Sequence, residues 1–186
     1  MKKIFAVLAA AFIATSAFAK VGLTGGISFS PDKVDFKQIQ QWHVGLTWEI
    51  PIGIGFSIQP SLLYASKAGL PDGGTSIEAF KMGYVQLPVQ LLWGPDLAAG
   101  NFKPYVFADV FLGYNLTKND EWAKIDNINQ VRELLDWGFG LGVGIKVFKH
   151  LQVTAKYVFD LGNLTNLKPV NWRIPDCITF GAAILF

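Results

Sequence analysis

The 186-residue chain sets 16 Lys and Arg against 14 Asp and Glu, has one cysteine, and combines 16% charged residues with 14% aromatics and a mean hydropathy of +0.33. Near-balanced charge without a basic stripe excludes a nucleic-acid surface, and a lone cysteine, Cys177, excludes an internal disulfide. Beyond residue 19 no apolar run approaches the roughly 18 residues of a membrane-spanning helix, although the chain is greasier than an ordinary soluble exported protein.

The first element is Met1-Lys2-Lys3, the apolar run from Ile4 to Ile13, and then Ala14-Thr15-Ser16-Ala17-Phe18-Ala19. A basic start, a short apolar stretch and small residues at Ala17 and Ala19 predict a signal peptide over 1–19, cleaved after Ala19. The run is shorter than the about 20 residues that span a bilayer as a helix. No cysteine follows the cleavage site, which argues against a lipoprotein. Residues 20–186 then form one domain, and with Lys2 and Lys3 gone its basic and acidic residues are equal in number.

That domain divides into about eight alternating segments, each of the length a tilted strand needs to cross a membrane. They fall near 20–29, 41–50, 53–66, 79–93, 103–115, 136–148, 151–161 and 176–186. The connections alternate in length. Pro51-Ile52 and Lys149-His150 are tight and 94–102 is moderate, whereas 30–40, 67–78, 116–135 and 162–175 are long and polar. Short periplasmic turns and long outer loops give this rhythm, and an even number of strands puts both ends of the domain on the periplasmic side. The expected fold is all-β: a transmembrane, antiparallel, up-and-down barrel.

Parity along the segments separates two faces, because successive strand side chains point to opposite sides. In the sixth, Trp137, Phe139, Leu141, Val143, Ile145 and Val147 oppose Asp136, Gly138, Gly140, Gly142, Gly144 and Lys146. The second and seventh split in the same way. The interior of an eight-stranded barrel is only wide enough to be filled by side chains. The bulky faces therefore point outward to lipid, and the glycine column leaves room for large inward groups such as Tyr105, Phe107 or Lys156. Aromatic residues near strand ends suit the membrane interface: Trp48 and Trp93 on the periplasmic rim, Trp42, Tyr64, Tyr114 and Trp137 on the outer rim.

The inward polar residues Glu49, Asp109, Lys146, Lys156 and Asp160 should pair, since an unpaired charge in a narrow interior is costly. Depth along the strands couples Glu49 with Lys146 and Asp109 with Lys156, within a network that includes Gln59, Gln86, Gln90 and Gln152. Cys177 reads as a small core residue. His43 and His150 lie too far apart for a metal site, and zinc wants three or four ligands; no metal or cofactor is expected. A nucleophile near His43 would have to be Ser28 or Ser66. Gly25-Gly26, Gly53-Ile54-Gly55 and Gly73-Gly74 lack the lysine and helix start of a phosphate loop and read as curvature and turns. Within 116–135, Trp122, Ile125, Ile128, Val131, Leu134 and Leu135 recur at helical spacing, which predicts a short amphipathic helix at the outer mouth.

The final residues Thr179, Gly181, Ile184 and Phe186 resemble the assembly signal of outer-membrane barrels: a polar residue, a glycine two later, and apolar residues at the third-last and last positions. Ile184 stands where the pattern often has an aromatic. That resemblance implies the barrel-assembly machinery as a partner during insertion. The chain also looks like the Bacteroidetes-type (PorT-like) outer-membrane β-barrel family. The likeness rests on Trp42-His43-Val44-Gly45, Gln59-Pro60-Ser61-Leu62-Leu63-Tyr64, Tyr84-Val85-Gln86-Leu87-Pro88-Val89, Lys103-Pro104-Tyr105-Val106 and the run from Gly138 to Gly144. It implies a location in the outer membrane of a Gram-negative cell, lipid around the wall, and no catalytic residues. Three roles follow as expectations: a non-enzymatic structural or interaction barrel whose outer loops meet a ligand or protein, a small channel or transport accessory, or a lipid-active enzyme.

Overall fold

The computed structural model describes residues 19–29, 41–71, 80–95, 101–116, 135–148, 150–161, 163–164, 172–173 and 176–186. The expected signal peptide (apart from Ala19), the first outer loop and the expected helix within 116–135 (apart from its ends) lie outside the described residues. The strands are β1 (Lys20–Phe29), β2 (Gln41–Gly53), β3 (Phe56–Pro71), β4 (Phe80–Trp93), β5 (Phe102–Asn115), β6 (Leu135–Val147), β7 (Leu151–Asp160), two short strands β8 (Asn163–Leu164) and β9 (Trp172–Arg173), and β10 (Cys177–Leu185).

Each long strand pairs antiparallel with its neighbours in sequence, β10 returns to β1, and β2–β3 completes the ring. The result is a closed, up-and-down barrel of eight strands. Closure removes sheet edges, so the backbone groups of the wall are paired within the wall, as a hydrocarbon surrounding demands.

The wall has the two faces that parity demands. In β5 burial alternates strictly: Tyr105, Phe107, Asp109, Phe111 and Gly113 are buried, while Val106, Ala108, Val110, Leu112 and Tyr114 are exposed. An exposed Val110 at 61% and Leu141 at 54% would be anomalous on a water-facing wall and are normal against acyl chains. Rings cluster toward both rims. Trp42 packs on Tyr64 at 5.7 Å at the loop end, and Phe56 on Trp93 at 6.3 Å and Phe102 on Phe148 at 6.2 Å at the turn end.

Two elements depart from expectation. The tight turn expected at Pro51-Ile52 lies at Ile54-Gly55, and β2 continues to Gly53 through an irregularity between Pro51 and Gly53. The turn uses left-handed backbone at Gly53 (φ 118°), Ile54 (φ 54°) and Gly55 (φ 79°), which the two glycines supply without strain. β3 also runs on to Pro71, beyond the expected end at 66. Its extension pairs with β9, Leu70 with Arg173 and Pro71 with Trp172, while β9 pairs with β8. β8 and β9 belong to the connection between β7 and β10, and β3 stands four strands from β7 by either route around the ring. That connection therefore crosses the loop end of the barrel from one wall to the opposite one.

Candidate functional site: the barrel lumen

The lumen is filled by groups set against glycines. In the β5–β6 ladder Tyr105 faces Gly144, Phe107 faces Gly142, Asp109 faces Gly140 and Phe111 faces Gly138. A Cβ at Gly144 would strike the Tyr105 ring, one at Gly142 the Phe107 ring and one at Gly138 the Phe111 ring. One strand supplies the bulk and its neighbour supplies the hollow.

Polar groups gather at three depths. At the turn end Lys146 Nζ donates to Glu49 Oε1, and Gln152 Nε2 donates to Glu49 Oε2 at 3.3 Å. Gln59 Nε2 reaches both Gln152 Oε1 at 3.1 Å and Thr47 Oγ1 at 2.9 Å. Ser61 Oγ adds a bond to Thr47 Oγ1 at 2.8 Å, and Thr47 itself donates to the Pro60 carbonyl at 3.4 Å. The position of this cluster has a cause. Proline has no N–H to give a ladder, and the register of β3 is interrupted at Ser61 and Leu62 toward β4, and at Gln59 and Pro60 toward β2. The fully buried Thr47 adds a side-chain donor there.

At mid-depth Lys156 Nζ donates to Asp109 Oδ2. His43 points inward against Gly26, where a Cβ would come within 2.5 Å of the imidazole Cε1.

The loop-end cluster is centred on Lys67. Its ammonium donates to Asp136 Oδ2 and Asp160 Oδ2, both at 2.6 Å, and Gln86 Nε2 donates to Asp136 Oδ2 at 3.1 Å. It also sits 4.6 Å from the Phe111 ring centroid and 5.8 Å from that of Tyr84, so its unbonded side rests on aromatic faces. The Lys67–Asp160 pair joins β3 to β7, across the full width of the lumen.

The residues named from sequence thus fall into separate groups rather than one network. Glu49, Lys146, Gln59 and Gln152 are joined at the turn end, Asp109 and Lys156 at mid-depth, and Gln86 and Asp160 through Lys67 and Asp136 at the loop end. Gln90 stands beside Asp109 in the β4–β5 ladder and lines a lumenal cavity of about 40 Å³. Lys67, Asp136, Thr47 and Ser61 were missed as network members. Parity along β3 could have found Lys67, which continues the inward series Gln59, Ser61, Leu63 and Ala65; the loop-like residues after it placed it outside the strand.

Ser28 Oγ bonds Thr179 Oγ1 at 2.8 Å, and among the described residues no hydrogen bond joins His43 to Ser28 or Ser66. His150 Nδ1 lies 2.9 Å from the Leu185 carbonyl oxygen, at the opposite end of the barrel from Ser28. Among the described residues no group of three His, Cys, Asp or Glu could hold a metal ion. Of the terminal pattern, Thr179 and Gly181 point inward, while Ile184 and Phe186 are exposed on the lipid side. Cys177 is buried.

A closed antiparallel barrel, apolar without and polar within, defines an integral barrel of the outer membrane. The chain belongs to the outer membrane protein β-barrel domain family, whose profile matches residues 14–166. No curated protein matches the chain. Among solved structures it is similar to the N-terminal β-barrel domain of Pseudomonas aeruginosa OprF, with 12% identity, 90% of this chain and 96% of that one covered, and a TM-score of 0.45. It is also similar to Neisserial surface protein A, with 11% identity, the same 90% and 96% coverage and a TM-score of 0.48. Ail of Yersinia pestis, solved with the heparin analogue sucrose octasulfate, shows 11% identity, 90% and 96% coverage and a TM-score of 0.40.

Proposed function

We propose that this chain is a non-conducting outer-membrane barrel, without enzymatic activity, that acts through its outer loops, with a lumen built as a rigid plug. One observation carries this reading. Between the turn-end cluster and Lys67, the three rings of Tyr105, Phe107 and Phe111 lie in glycine hollows, and the ion pairs between them cross the remaining space. Charge in this lumen is spent on internal pairing rather than presented to a passing solute. Export by a signal peptide over 1–19, insertion by the barrel-assembly machinery, and a ligand or protein at the outer loops belong to the same proposal. So does membership of the Bacteroidetes-type subgroup, which the sequence runs around Tyr84–Val89 and Gly138–Gly144 support.

Planar-bilayer recording of the refolded full chain tests the plug. The expected result is a silent membrane; stable unitary steps abolished by Tyr105→Trp would overturn it in favour of a channel. Loop-directed pull-down from whole cells, compared with a variant whose 162–175 connection is scrambled, tests the interaction role. A lipid-active enzyme built on His43 would show lipid turnover lost in His43→Ala; none is expected.

A further inference from the structure

The loop-end half of the lumen contains a cavity of about 50 Å³. Lys67, Lys156, Gln41, His43 and Thr179 face it, and no aspartate or glutamate does. Each lysine meets its carboxylates elsewhere: Lys67 meets Asp136 and Asp160, and Lys156 meets Asp109. An ammonium has three N–H donors, so Lys156, bonded to one carboxylate, has hydrogens left over, whereas Lys67, bonded to two, turns its remaining side to the Phe111 ring. The imidazole of His43 carries an N–H in either tautomer. The polar wall is rich in donors and poor in charged acceptors.

Gln41 gives an independent sign. Its side chain is 6% exposed, its Oε1 accepts from the Cys177 thiol at 3.9 Å, and its buried Nε2 has no hydrogen-bond partner. An amide donor left unpaired in a buried site is costly, and the bond on its oxygen holds this one at the cavity wall.

We propose that this cavity is a binding site for a small monovalent anion, a halide such as chloride or a carboxylate no larger than formate. Size and charge fix the class. A cavity of about 50 Å³ admits one such ion, given that a water molecule takes roughly 30 Å³ in the liquid. Sugars are too large. Asp109, Asp136 and Asp160 stand behind the two lysines and outnumber them, so a doubly charged ion is rejected and a singly charged one binds weakly, held by the donors that face it rather than by net charge. The site goes beyond the proposed role, because a barrel that passes no current can still hold an ion.

Chlorine-35 NMR of the full chain refolded in detergent, in sodium chloride at constant ionic strength, provides the test. The protein should broaden the chloride line. Formate should narrow it again by competition, and gluconate, too large to enter, should not. Gln41→Leu should lower the excess broadening about five-fold, the loss of roughly one hydrogen bond, while keeping heat-modifiable gel migration. Should that variant fail to fold, the formate-against-gluconate comparison on the unaltered chain decides the matter. Absence of excess broadening, equal displacement by gluconate, or unchanged broadening in a folded Gln41→Leu protein would overturn the proposal.

Discussion

At the scale of single residues, the clearest constraint is a glycine defined by one ring. The three atoms nearest a Cβ at Gly144 all belong to the Tyr105 side chain, whereas at Gly22 the nearest is the Ile184 backbone carbonyl. Gly144→Ala should therefore cost about 1–3 kcal/mol by overpacking. Adding Tyr105→Leu should recover most of it, in a double-mutant cycle of urea unfolding in micelles. No side-chain change should rescue Gly22→Ala. Lys67 makes a second prediction. Its ammonium bridges two carboxylates that would otherwise face each other, with side chains only 5% and 2% exposed. Lys67→Met should lower stability by roughly 3–5 kcal/mol, the usual cost of stranding a buried charge. The triple variant with Asp136→Asn and Asp160→Asn should regain much of that loss. An unfolding midpoint unmoved by Lys67→Met would mean that the cluster ties nothing together.

At the scale of elements, the turn between β2 and β3 stores avoidable strain. Ile54 is β-branched, holds φ at 54° and is 96% exposed, so it gains no packing for its conformation. Ile54→Asn should raise the unfolding free energy by about 1 kcal/mol in urea titration, because Asn tolerates left-handed backbone where a β-branched residue does not. The same turn shows where sequence reading stops. Alternation located all eight long strands, because a strand with one lipid face and one lumen face repeats every two residues. Proline drew the expected turn to Pro51-Ile52, yet Pro51 sits in the strand next to its irregularity, and the glycines at 53 and 55 take the reversal. Depth counted from the short turns was enough to set Glu49 beside Lys146 and Asp109 beside Lys156. The Lys67 cluster was not legible in that way, because Asp136 and Asp160 come from strand ends next to long connections and Lys67 from a stretch that reads as loop, so no turn fixes their depth. Nor could composition show that Thr47 serves a carbonyl beside a proline; that follows only from register.

At the scale of the whole molecule, orientation is the property on which the rest depends. Leu141 is outward at mid-strand and Leu135 outward at the loop end of the same strand. Leu141→Arg should cost about 2–4 kcal/mol and Leu135→Arg much less, in line with depth in the bilayer; equal costs would mean that the outer face does not sit in hydrocarbon. Folded protein extracted from membranes should also migrate differently from its boiled form. The barrel is, mechanically, a thin hoop, and the softest motion of a hoop is to flatten into an oval. The Lys67–Asp160 bond and the β3–β9 pairing above it run along one diameter, like a crossbar. Squeezing along that bar is resisted, while squeezing at right angles to it meets only the wall itself. Neighbouring proteins or lateral membrane tension should therefore distort this barrel in one direction first, and cutting the bar should make it equally pliable in both.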